Sequence, residues 1–443
     1  MPVFMERRSE YTSRHSSEID IVTPAAARLQ AILDLFTATE AESRPVDAVT
    51  SAWLRGRRDI GDEDRGTILD TLYDLLRHRA RLTWWLEKFG REATARNQFL
   101  AWLVLAERRP AEEIKRLLGE EPQDGSLLNK LHGHTMEHPE MPEAVLLECP
   151  AWAEPSLRAR FGDRFAPEMN ALLTPPPFDL RVNPIKATRE GVLKQLSKLG
   201  LPAEPTPLAP HGIRLAEKFA LSRLPALKTG EVEIQDEGSQ LVAQLVDAQP
   251  GDRVVDFCAG AGGKTLAMAA QMNNKGRIIA CDVNEGRLKR CSERVRSAGM
   301  HNVETKLLGS EADKWVKRKK LGFDRVLIDA PCSGTGTWRR NPDTRWRDEG
   351  GLEHLTALQS RILASAARLV KEGGRLVYAT CSMLLEENEA QVEAFLKAFP
   401  AFKLVPLAEV APDLPQTGDY LSLTPAQHDT DGFFAAVMTR TPA

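Results

Sequence analysis

The stretch Asp256-Phe-Cys-Ala-Gly-Ala-Gly-Gly-Lys-Thr265 follows the apolar pair Val254-Val255 and runs into LAMAAQM. A short apolar run ending in an acid, then clustered glycines, then helical spacing reads as strand, turn and helix. Gly260, Gly262 and Gly263 let the backbone turn tightly and approach a ligand at a helix N-terminus. The spacing is neither the G-x-G-x-x-G of dinucleotide enzymes nor the longer gap of a phosphate-binding P-loop. Asp256 at the head of the turn suits a cationic ligand better than a pyrophosphate. S-adenosylmethionine, with a sulfonium and an ammonium, is such a ligand.

Outward from this turn, strands and helices alternate from about residue 233 to the end. RVVDFC, GRIIACD, VETKLL, FDRVLID and GRLVYAT are strand candidates, followed by two short closing strands, FKLVPL and FFAAVMTR. LEHLTALQSRILASAARLVKEG and EENEAQVEAFLKAF lie between them as helices. The pattern predicts a Rossmann-like α/β domain, a doubly wound and mostly parallel seven-stranded sheet covered on both faces. The second strand ends at Asp282, where a carboxylate can accept both hydrogen bonds of a ribose diol. A helix cap or a solvated loop acid is the plainer alternative.

Upstream, residues 141–232 read as a linker and a small α+β region, with strands FDLRVN and GIRLA and the helix TREGVLKQLSKLG. Residues 23–140 read as all-α. Thr23-Pro24 signals a helix start, and Leu29, Ile32, Leu33 and Phe36 share one helical face. RGTILDTLYDLLRHRARLTWWLEKF reads as one long helix, and residues 121–150, rich in Gly, Pro and His, as linker. Residues 1–22 are polar and expected to be flexible.

The formal net charge of the 443 residues is −3, so the whole-chain charge does not announce a nucleic-acid binder. Phosphate contacts need only a local basic surface, and basic residues cluster at 55–58, 77–81, 317–320 and 339–340. A solvated face is the plainer reading of each cluster. No apolar run is long enough to cross a bilayer and no secretory signal opens the chain. A cytoplasmic protein is expected, with no membrane partner; a monomer is the expected state.

Six cysteines stand at 149, 258, 281, 291, 332 and 381 without a CxxC pair, so neither a metal site nor a redox motif is suggested. In a reducing compartment they are free thiols, and 149, 281 and 291 read as small buried hydrophobes. Cys332 follows the fourth strand in Asp329-Ala-Pro-Cys-Ser-Gly-Thr-Gly336, and Cys381 follows the fifth in Thr380-Cys-Ser382. Ligands of open α/β sheets bind beyond the carboxyl ends of the strands. Strands one, four and five are neighbours there, so both cysteines should face the glycine turn across one crevice.

Two such thiols suit methylation at carbon 5 of cytosine, a poor nucleophile until a thiolate adds to carbon 6. A second group must then help remove the carbon 5 proton. Asp329 is the candidate for hydrogen bonding ring N3 as charge develops. A nicotinamide-dependent dehydrogenase leaves the paired cysteines unexplained. A non-catalytic RNA-binding protein leaves unexplained why Asp256, Asp282, Asp329, Cys332 and Cys381 are all in place.

DFCAGAGGKT, DAPCSGTG and ATCSM, with FDLRVN and IQDEGSQ ahead of them, resemble the RsmB/Sun family of RNA 5-methylcytosine methyltransferases from about residue 145 to the end. The resemblance implies a class I methyltransferase domain that uses S-adenosylmethionine and acts on RNA. It makes Cys381 the nucleophile and Cys332 the residue that assists product release. It maps the cofactor loop onto Cys258, Ala259, Gly260, Ala261, Gly262, Gly263 and Lys264, with Asp282 on the ribose and Asp329 lining the site. Lys264 also joins the catalytic set, and Asp256 the cofactor set. Two departures stand out. The family has Ala-Pro-Gly-Gly where this chain has Gly260-Ala261-Gly262-Gly263, and its acid after the third strand is replaced by Gly309-Ser310-Glu311. Either Glu311 or Asp313 is left to meet the adenine. The helical segment, through PVDAVTSAWLR and DRGTILDTLYDLLRHRARL, resembles the NusB-like RNA-binding domain of RsmB-type proteins. That resemblance implies small-subunit (16S) ribosomal RNA, or an assembly intermediate containing it, as the partner.

Overall fold

The computed structural model describes residues 24–57, 59–216, 224–347, 351–414 and 418–442. The expected flexible segment 1–22 and the capping Thr23 lie outside them. The first element begins at Ala25, behind Pro24.

Helices Ala25–Ala41, Val46–Arg55, Asp62–Arg77, Arg79–Lys88, Ala95–Leu105, Ala111–Leu118 and Asp124–Leu131 pack around Leu35, Phe36, Ile68, Leu72, Leu75, Trp85 and Phe99. The run expected as one long helix breaks at His78, whose φ of −110° and ψ of 21° leave the helical region. The expected linker holds the Asp124–Leu131 helix, which buries Leu127, Leu128 and Leu131 against the Ala95–Leu105 helix. Three leucines between glycines and histidines were too few to show a period.

Four short strands, β1 (Phe178–Val182), β2 (Ala203–Pro205), β3 (Gly212–Leu215) and β4 (Val232–Ile234), form an antiparallel sheet in the order β2-β3-β1-β4. The helix Arg189–Lys198 belongs to this unit, and Thr188 caps it by accepting from the Gly191 N–H at 3.1 Å. β2 and β4 have three residues each, too few for alternation to be legible, and β4 carries the small sheet past residue 232.

The large sheet comprises β5 (Arg253–Asp256), β6 (Arg277–Asp282), β7 (Val303–Leu307), β8 (Phe323–Asp329), β9 (Val370–Thr380), β10 (Phe402–Val405), β11 (Leu421–Leu423) and β12 (Phe433–Arg440). Its order is β10-β12-β9-β8-β5-β6-β7, with β11 added on β12. β5 to β9 run parallel, and β12 enters antiparallel between β9 and β10. Alternate residues supply the two cores: Val254, Ile278, Leu327 and Val377 on one face, Val255, Ile279, Ile328 and Tyr378 on the other. The last strand covers the FFAAVMTR expected, and Phe433 to Met438 are all buried because it lies inside the sheet, between β9 and β10.

Two basic clusters also differ from a solvated face. Arg77, Arg81 and Arg339 are buried, and Arg340 pairs with Asp431 at 2.7 Å and Asp236 at 3.3 Å. Lys317 to Lys320 are exposed, as expected.

Candidate active site

β5, β6, β8 and β9 all end at one cavity of about 700 Å³. Its lining includes the turn Asp256–Ala261, Gly263, Lys264, Asp282, Asp329, Cys332 and Cys381. All the expected site residues therefore meet at this cavity except Gly262, which does not line it. Gly262 has φ +86°, and a Cβ there would stand 2.5 Å from Cys291 Sγ. The turn is tied down from outside by Arg294, which donates to the Ala261 carbonyl at 2.8 Å and pairs with Glu233 at 2.7 Å.

Asp256 is buried, and its Oδ2 accepts from Thr265 Oγ1 at 2.6 Å. Its Oδ1 has no hydrogen-bond partner among the described residues. Burial pushes its carboxyl up to about 7; the Thr265 hydroxyl opposes this and the charge of Asp329 adds to it. A buried carboxylate with an open lone pair is a strong attractor for a cation in the cavity. Asp282 accepts from the Gly260 N–H at 2.8 Å and from the Asn284 N–H at 2.7 Å. It is not the cap of the next helix, since Asn284 serves there. Each oxygen keeps a second lone pair for a ligand hydroxyl. The pairing of these two acids with a glycine turn fits a nucleoside that carries positive charge.

Of the two acids left for an adenine, only Glu311 lines the cavity, where it pairs with Arg361 at 2.8 Å. Asp313 is occupied in capping, accepting from Gly309 and Trp315 N–H groups at 2.9 and 2.7 Å.

At the other end of the cavity Cys332 Sγ lies 3.4 Å from Cys381 Sγ. Contact with Cys381, then burial, holds the Cys332 thiol well above the usual range. Either thiol can be the donor of this contact. Lys264 Nζ donates to Asp329 Oδ2 at 2.7 Å. Burial works against the ammonium, but Asp329 outweighs it and the lysine stays charged. Asp329, the candidate for ring N3, is thus paired with Lys264, and together they offer N–H donors as well as carboxyl oxygens.

Behind the cysteines lies a buried polar network that the motifs did not announce. Glu387 accepts from the Ser333 N–H at 2.8 Å and from Gln359 Nε2 at 2.9 Å. Asn388 donates to the Ser382 carbonyl at 2.9 Å and accepts from Thr380 Oγ1 at 2.5 Å. Thr335 Oγ1 accepts from the Met383 N–H at 2.7 Å. Together they lock the loop after β8 to the loop after β9. In the sequence Glu386, Glu387 and Glu389 look like ordinary first-turn acids, so nothing marked Glu387.

Cys149, Cys281 and Cys291 are buried, and no helix among the described residues is long and apolar enough to cross a membrane.

Comparison with known proteins agrees with this geometry. Residues 243–439 match the family model of the 16S rRNA methyltransferases RsmB/F, and residues 149–222 match the RsmF/B-like ferredoxin-like domain. The chain is 31% identical over 401 residues to ribosomal RNA small subunit methyltransferase B of Yersinia pseudotuberculosis, covering 86% of this chain and 91% of that protein. The crystal structure of PH0851 superposes with a TM-score of 0.79 at 26% identity, over 95% of this chain and all of the other. A methyltransferase homologue from Pyrococcus horikoshii gives 0.59 at 29% identity, over 69% of this chain and all of the other. The chain belongs to the RsmB/F family of 16S rRNA methyltransferases, enzymes whose methyl donor is S-adenosylmethionine.

Proposed function

We propose that the protein methylates carbon 5 of a cytosine in small-subunit ribosomal RNA through a covalent adduct to Cys381. The observation that carries this is the pair of thiols 3.4 Å apart at the cavity that also holds the glycine turn. The bound cofactor supplies an electrophilic methyl; the chain's own residues do the rest. In this reading Cys332 donates its S–H toward Cys381, and Cys381 reacts as the thiolate. That thiolate adds to carbon 6, and the charge pushed toward N3 and O2 meets the Lys264–Asp329 pair. Once Cys381 is capped by carbon, the interaction that held the Cys332 proton is gone and the proton leaves to water. Cys332 then takes the proton from methylated carbon 5 as the carbon 6–sulfur bond breaks, and the electron pair returns to Cys381. One methyl enters and one proton leaves per turnover.

In the same reading Asp256 and the 258–264 turn hold the charged part of the cofactor, and Asp282 its ribose. Residues 23–140 form a NusB-like RNA-binding domain, 141–232 the extension ahead of the catalytic part, and 233–443 the methyltransferase domain. The protein works as a cytoplasmic monomer on naked RNA or on an assembly intermediate. Bisulfite sequencing of 16S rRNA from cells with and without the protein tests the central claim. One cytosine losing its protection without the protein supports it, and an unchanged protection map refutes it.

A further inference from the structure

The segment after the DAPCSGTG loop, residues 338–347, is wedged between the helical domain and the methyltransferase sheet. From the helical side, Arg77 Nε and NH2 both donate to the Arg339 carbonyl, at 3.2 and 2.9 Å. Arg347 donates to the Ser43 and Arg44 carbonyls at 2.6 and 2.7 Å. Trp346 Nε1 donates to the Leu76 carbonyl at 3.2 Å, and Asp343 accepts from the Val46 N–H at 3.3 Å. On the sheet side, Arg339 and Arg340 pair with Asp431 at 3.4 and 2.7 Å. The next residue, Gly432, donates its N–H to the Gly336 carbonyl at 2.7 Å, and Gly336 N–H donates to the Cys381 carbonyl at 3.0 Å. A Cβ on Gly336 would overlap the Gly432 carbonyl, so this junction has no slack.

Arg77 is the unusual member of this wedge. Arg77 is 4% exposed, and burial lowers its pKa, so placing a charge there costs stability. Two donors converge on a single main-chain carbonyl instead of a carboxylate, which fixes one peptide in space. That peptide is three residues beyond Gly336, and Gly336 is bonded to the residue that carries the second thiol.

We propose that Arg77 is a positioning residue for the Cys332–Cys381 pair, so that the helical domain braces the active-site loop from behind. This rests on the reading of the two cysteines as the reacting pair. Misplacing a reacting group by about 1 Å costs roughly a hundredfold in rate, so Arg77→Met should lower kcat by roughly ten- to a hundredfold. KM for RNA and Kd for S-adenosylmethionine should stay at wild-type values, because neither the glycine turn nor an RNA-facing group is touched. Arg77→Lys, keeping the charge and a donor, should recover part of kcat and carries the test if the methionine variant does not fold.

The second readout is independent of activity. Diamide, which takes up the two electrons and two protons released, should join Cys332 to Cys381 in the wild-type enzyme, scored by peptide mapping. The rate of that crosslink measures how well the two loops face each other. It should fall with kcat in Arg77→Met and recover in Arg77→Lys. A raised KM with unchanged kcat and crosslinking would make Arg77 an RNA contact and overturn the proposal. A lowered Tm with wild-type kcat and crosslinking well below that temperature would leave it a mere stability residue, and also overturn it. If methyl enters RNA elsewhere than carbon 5, the function reading fails while the crosslink comparison still reports on loop position.

Discussion

Asp256 provides a test of the cofactor site that needs no RNA. Its carboxyl lies at about 7 in the free protein because burial penalises the charge, and one oxygen lacks a partner. Thr265 and Lys264 favour the charged form; Asp329 and Asp282 oppose it. A cationic ligand in the cavity favours the carboxylate, so binding below pH 7 must release one proton. Kd should then tighten tenfold for each pH unit from about 5 to 7, about 1.4 kcal/mol per unit, and level off above. Titration calorimetry in two buffers of different ionisation enthalpy reads both the slope and the proton released. The ligand's own amine titrates near 8 and histidines near 6.5, so Asp256→Asn is the control: its profile should lose that slope. The same shift has a stability sign. A carboxyl raised from about 3.9 to about 7 costs the apo fold nothing below pH 3.9 and progressively more up to pH 7, at most about 4 kcal/mol. Asp256→Asn should therefore raise the apo Tm at pH 8 and leave it unchanged at pH 4. A wild-type Kd that is flat from pH 5 to 7 would refute the assignment of Asp256 as the cation's counter-charge.

Other expectations follow from single contacts. Asp282→Ala should weaken S-adenosylmethionine binding by about 1–3 kcal/mol, since it strips the turn's Gly260 N–H of its acceptor along with the ribose contact; unchanged affinity in a folded variant sinks that role. Gly262→Ala should destabilise the protein by at least about 1–2 kcal/mol, because an alanine at φ +86° is strained before it meets Cys291; a wild-type Tm would contradict it. Cys381→Ala should give neither methylated RNA nor adduct, while Cys332→Ala should accumulate a protein–RNA species that survives denaturing electrophoresis. The reverse pattern would exchange the two roles, and full activity in both variants would end the covalent mechanism.

Much of the site was legible because the chemistry sits at strand ends. Asp256, Asp282, Asp329 and Cys381 each close or follow an apolar run, and a parallel sheet carries such positions to one edge. The order of β5, β8 and β9 could be read for the same reason. Arg77 and Arg339 could not be, since a buried arginine and a solvated one look alike in a basic cluster; only their distant carbonyl and aspartate partners separate them. β2 and β4 were hidden by their length, and the helix Asp124–Leu131 by the glycines and histidines around it. The place of β12 depended on pairing with β9 and β10, which local alternation does not record.

The wedge at residues 338–347 also bears on how the protein is made. Arg347 meets Ser43 across 304 residues and Arg77 meets Arg339 across 262. At about 5–20 residues per second, the last helix of the helical domain, ending at Leu131, is made roughly 10 to 40 s before its partner segment exists. Cys332 comes just before that segment and Cys381 after it, but Asp429 and Asp431, which hold Arg339 in place, arrive only after both. A nascent chain stopped before residue 429 carries every reacting side chain but lacks the two carboxylates that hold Arg339 from the sheet side. The active site is therefore finished late, between a domain already folded and a strand still to come.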